Sequence, residues 1–152
     1  MVASEDLPLL TLKQASTIVD AALSEGLRRG FAPLCVVVLD AGAHPLALKR
    51  SEAASISRPE IATSKAAGCI GMGFGGRELA RRAQAAPAFF ASLAAVFPKG
   101  ITPVPGGVLI RGQGGTLLGA VGISGDTSDN DEICAIAGIR AAGLVADSGD
   151  PH

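Results

Sequence analysis

The chain has 152 residues, a formal net charge of −1 and 48% hydrophobic residues, so one domain can bury a core without a disulfide or metal staple. The near-neutral charge, the lack of a polybasic run and the absence of Trp and Tyr argue against nucleic acid, because phosphate neutralisation and base stacking both lack their residues. No apolar run reaches the roughly 20 residues of a bilayer span, and Glu5 and Asp6 stand where a secretory leader carries cations. The expectation is one domain over residues 1–152, with its core over about 10–146, cytoplasmic and away from membranes.

The elements follow in chain order. Thr11 and Gln14 have capping-box spacing, and Leu12, Ala15, Ile18, Val19, Ala22, Leu23 and Leu27 recur at helical spacing up to Gly26 and Gly30, which predicts a helix. Leu34 to Leu39 is a β-branched apolar run, Asp40 to His44 has turn chemistry, and Leu46 to Lys49 is extended again, which makes a first hairpin. Ser57 and Glu60 have capping-box spacing around Pro59, so a second helix should run to the glycines at Gly71 and Gly73. Another helix is expected from Arg77 to about Ala85, while Ala88 to Phe97 fits either a short buried helix or an irregular connection.

Val108 to Arg111 and Thr116 to Ser124, joined by the Gly-rich turn Gly112 to Gly115, make a second hairpin. A last helix capped by Asp126 or Thr127 carries Asp129, Asp131 and Glu132 at its positive end and should run to about Val145. Two hairpins with helices before, between and after them predict an α/β fold of the α+β type, one antiparallel sheet covered by helices. Cys35, Cys69 and Cys134 are odd in number and have no C-x-x-C spacing, so they read as small buried hydrophobes.

The opening segment Leu10-Thr-Leu-Lys-Gln-Ala, the strand end Val-Val-Val-Leu-Asp40-Ala-Gly-Ala-His44, Glu60-Ile-Ala-Thr-Ser-Lys65-Ala, Arg77-Glu-Leu-Ala, Pro105-Gly-Gly-Val and Gly122-Ile-Ser-Gly-Asp-Thr with Asp131-Glu132 together resemble the GlcG/HbpS-like family. The likeness runs from about Leu10 to Leu144. It implies a profilin-like antiparallel sheet of about five strands flanked by helices, and assembly into homo-oligomers. The family includes haem-binding proteins, so haem is a candidate cofactor. Two segments depart from the family pattern: Arg-Met-Asp-Gly-Ala is here Arg50-Ser51-Glu52-Ala53-Ala54, and Lys-Ala-x-Thr-Ala is Lys65-Ala66-Ala67-Gly68-Cys69, which removes a hydroxyl from the central helix.

Gly71-Met-Gly73-Phe-Gly-Gly76 matches G-x-G-x-x-G, but a helix precedes it and no acidic residue occurs from Leu79 to Gly125, so it reads as a helix stop rather than a dinucleotide loop. His44 and His152 are the two histidines, and no metal cluster is expected from them and three separated thiols. Arg77 and Arg81 share a helix face at i and i+4, a mildly repulsive spacing that solvation ordinarily relieves and that an anion or partner carboxylate between them would also relieve. Gly106 and Gly107, after Pro105, are candidates for a backbone anion nest.

The leading expectation is a ligand-binding oligomer that takes haem or a small organic acid at or near a subunit interface. Its candidate binding residues are His44, Arg50, Lys65, Gly106, Gly107 and Asp131. The alternatives are a cofactor-free catabolic enzyme of tautomerase, hydratase or hydrolase type, moving protons with Lys65 and Glu60 or Glu132, and an accessory oligomer without chemistry. Lys65 lies on an apolar helix face with Ile61, Cys69 and Met72, so its amine either snorkels out or sits in a pocket. In the pocket reading, Lys65→Met should remove ligand response with little loss of stability.

Overall fold

The computed structural model describes residues 9–150; His152, Glu5 and Asp6 lie outside them. Helix α1 (Leu12–Arg29) begins with the expected capping box, Thr11 accepting from the Gln14 amide and Gln14 from the Thr11 amide, and ends at Gly30 in the left-handed region. Strands β1 (Cys35–Asp40) and β2 (Pro45–Arg50) form the first hairpin. The Asp40 carboxylate closes its turn by accepting from the amides of Gly42 and His44.

Helix α2 (Arg58–Met72) has Pro59 in its first turn, as expected, but no capping box. The Ser57 backbone (ψ 1°) is not extended, and its hydroxyl does not reach the helix amides. Gly71 lies within this helix and Gly73, left-handed, stops it. Helix α3 (Gly76–Ala85) follows, and the ambiguous stretch folds as a short α4 (Pro87–Ser92) and a 3-10 turn at Leu93–Ala95.

Strands β3 (Gly107–Arg111) and β4 (Leu117–Ser124) form the second hairpin, and β1 pairs with β4 to join both hairpins in one sheet. Thr127, not Asp126, caps α5 (Ser128–Ala141). This helix ends before the expected Val145: Gly143 turns the chain at φ +75°, and β5 (Val145–Asp147) returns to pair with the edge of β3. All neighbours in the order β2-β1-β4-β3-β5 are antiparallel.

Both faces of the sheet are covered, so the central strands are apolar on successive residues rather than alternating with polar ones. Val36, Val38, Val108, Ile110, Val121 and Ile123 pack toward α1 and α5, while Cys35, Val37, Leu39, Leu109 and Ala120 pack toward α2 and α3. Paired Gly107 and Gly122 let α2 approach closely: a Cβ on Gly122 would lie 1.9 Å from the Ala62 carbonyl oxygen. The three cysteines are buried free thiols, as expected. Burial pushes Cys35 and Cys134 up to about 11 and Cys69 to about 12, so all three stay protonated and poorly nucleophilic.

Candidate functional site

Lys65 neither snorkels nor faces an open pocket. Its side chain is 4% exposed, and Nζ donates to the Ile123 carbonyl at 2.9 Å and to Asp131 Oδ2 at 3.2 Å. Asp131 is 1% exposed, and its other oxygen accepts from the Asp126 amide. Burial lowers the lysine value and raises the aspartate value, each opposed chiefly by the charge of the partner. Gly106 (φ +110°) closes over the pair, where a Cβ would lie 2.8 Å from Nζ, and Gly107 lies against the Lys65 carbonyl. Lys65, Asp131, Gly106 and Gly107 therefore come together, but as a closed internal lock between α2, β4 and α5.

Glu132 meets Arg77 through a two-nitrogen contact, Oε1 accepting from Nη2 at 2.9 Å and Oε2 from Nε at 3.1 Å, while Asp129 takes another bond from the same guanidinium. Arg81 bonds Glu78 and Asp150, and Asp150 also lies 3.3 Å from Arg77. A carboxylate thus bridges the two arginines, the alternative that their spacing left open beside plain solvation. The Arg77 amide donates to the Ser148 carbonyl, so this network straps residues 148–150 across the start of α3.

The open sites lie elsewhere. A groove of about 420 Å³ runs between the C-terminal half of α1 and the end of β2. Leu23, Leu27, Phe31 and Leu34 supply its apolar wall, while Lys49, Arg50 and Glu52 supply its charges. Gly26 sets its depth, since a Cβ there would meet Leu34 at 2.8 Å. The rim loop is pinned by Asp126, which accepts from the Ala32 amide at 2.6 Å; this bond and those from Thr127 and Asn130 hold its carboxyl below the usual value.

A second, shallower pocket is lined by Pro59, Glu60, Thr63, Pro98 and Lys99. Lys99 donates to the Ala43 carbonyl, linking this pocket to the turn that carries His44. His44 itself lines neither pocket. Of the expected residues, Arg50 alone reaches the groove and Glu60 alone the second pocket. The groove's apolar members read from sequence as ordinary structural residues, Leu23 and Leu27 as part of the helical repeat and Leu34 as the start of a strand, and nothing in the sequence marked them as a site; Leu27 proves 83% exposed. Among the described residues no cluster of three or more His, Cys, Asp or Glu is placed to hold a metal ion, and no helix is long and apolar enough to cross a membrane.

Sheet, helical layers and a side groove define a small α+β protein built on five antiparallel strands. Its sequence matches the family model "Haem degrading protein HbpS-like" over residues 10–140. The chain belongs to the HbpS-like family. Its fold is shared with the crystal structure of a PduOC:heme complex (23% identity, TM-score 0.80, covering 90% of this chain and 97% of that one). It is shared also with HbpS (25%, 0.75, 92% and 96%) and with the Klebsiella pneumoniae protein ORFY (22%, 0.78, 94% and 97%). No curated protein matches the sequence.

Proposed function

We propose that this chain is a ligand-binding protein of its family, with the α1–β2 groove as the binding site and haem or a small organic acid as the ligand. The observation that carries the reading is the groove itself: a concave apolar wall with cationic groups at its mouth, the usual build of a site for amphipathic molecules. The enzyme reading has less support, because Lys65 and Glu132 are engaged by internal partners and line neither pocket, while Glu60 lines the second pocket without them.

Haem is a candidate because the family is described as haem degrading and the PduOC relative forms a heme complex. The groove's apolar wall and Arg50 would take the edge of a haem macrocycle and one of its carboxylates but would not hold the iron, because no imidazole or thiol lines it and the cysteines are buried. A second reading places the iron at His44, favoured by an imidazole on a surface turn fixed by Asp40.

Haemin titration followed by the Soret band and by thermal shift separates these readings. Groove binding is expected to weaken about tenfold or more in Leu27→Glu and to be unchanged in His44→Ala. A band displaced in His44→Ala would move the iron to the turn. Absence of any response to haemin and to a panel of organic acids would reject ligand binding and leave the accessory oligomer.

A further inference from the structure

We infer that Arg50 is the anchor for a ligand carboxylate, and that the groove accepts an amphipathic monocarboxylate whose apolar body lies along α1; this rests on the groove being the ligand site. Arg50 ends β2, where pairing with Cys35 fixes its backbone. Its Nη1 is held by the carbonyls of Ser51, Glu52 and Ala54 at 3.2, 3.3 and 3.0 Å, so the plane of the guanidinium is set before any ligand arrives. The remaining edge, Nε with Nη2, makes no hydrogen bond among the described residues, and no carboxylate there forms an ion pair with Arg50.

That free edge is the two-donor fork that matches a carboxylate in a planar, bidentate contact. Lys49, the other cation of the groove, is already joined to Asp20 at 2.8 Å, so Arg50 supplies the uncommitted charge. Leu23, Leu27, Phe31 and Leu34 line the same groove and offer apolar surface for a hydrocarbon body. Glu52, exposed at the same rim and free of any ion pair among the described residues, disfavours a second negative group on the ligand.

Calorimetric titration of the full chain with decanoate and with decanol tests the anchor, since the two share a chain length and differ in head group. Wild type is expected to bind decanoate about tenfold more tightly than decanol, the order of a charge-assisted bidentate bond at a partly open site. Arg50→Gln should bring the two within about twofold, and Arg50→Lys, which keeps charge without the fork, should retain only part of the preference. Equal affinities in wild type, or a preference that survives Arg50→Gln, would overturn the inference. Should Arg50→Gln lose its circular-dichroism signature, Arg50→Lys and the wild-type comparison decide. Failure of decanoate, decanol and haemin alike to bind wild type would sink the groove as ligand site; binding that is sensitive to Leu27→Glu but blind to the head group would sink the anchor alone.

Discussion

Lys65 and Asp131 carry opposite charges in a place that water does not reach, and each gives the other the only countercharge within bonding distance among the described residues. A buried pair of this kind gains little over a well-packed apolar pair, yet leaves a costly orphan when one member is removed. Lys65→Met is therefore expected to lose about 3–5 kcal/mol of stability in urea denaturation, with Asp131 forced to take up a proton. This replaces the expectation, drawn from the helix face alone, that methionine would be tolerated. The double variant Lys65→Met with Asp131→Leu should recover most of the loss, since no buried charge then remains. A single variant as stable as wild type would show that the pair is open to water. The apolar helix face around Lys65 was legible in the sequence, but its partner lies 66 residues away, and nothing local marks which charge will meet it.

At the scale of elements, most local signals were legible, the absent Ser57–Glu60 capping box of α2 being an exception, and borrowed ones were not. The capping box of α1, the two hairpins and the glycine stops follow from side chains within a few residues of where they act. Strand β5 is three residues long, and the free edge of β3 makes it a strand, so the stretch after Ala141 read as more helix. The groove likewise needs one wall from residues 23–34 and another from 49–52, so that only Arg50 of its lining was singled out from sequence. Asp126 shows the same distance effect: it looked like a helix cap, yet its carboxylate ties the α5 entrance to Ala32 on the groove rim.

Because those bonds lower the Asp126 value, their stabilisation is present above the usual carboxylate range and is lost as pH falls from about 4 downward through the folded-state value. Asp126→Asn should cost about 1 kcal/mol at neutral pH, the modest worth of a partly exposed charged bond, and flatten the acid limb of the stability profile. Thermal melts at pH 7 and pH 3 check it; an unchanged difference between the two pH values would remove Asp126 from the acid response.

Several large apolar side chains stay exposed on the folded chain. Leu27, 83% exposed, stands at the groove, Leu48, 44% exposed, on the edge strand β2, and Ile56, 89% exposed, in the connection from β2 to α2. Strand β2 has one paired side, to β1, and its outer backbone groups are a template for another strand or chain. The other sheet edge, β5, is half as long, three residues against six. An interface on β2 would bury Leu48 and place a second copy of the chain next to Lys49 and Arg50, which end that strand at the groove. Light scattering at micromolar concentration is expected to give a multiple of the 15.1 kDa chain mass. Leu48→Lys combined with Ile56→Lys, both at exposed positions outside the buried core, should shift the population toward monomer and weaken ligand binding in parallel. A wild-type chain that stays monomeric while binding ligand fully would place the complete site within one subunit, and monomerisation that leaves affinity intact would separate assembly from binding.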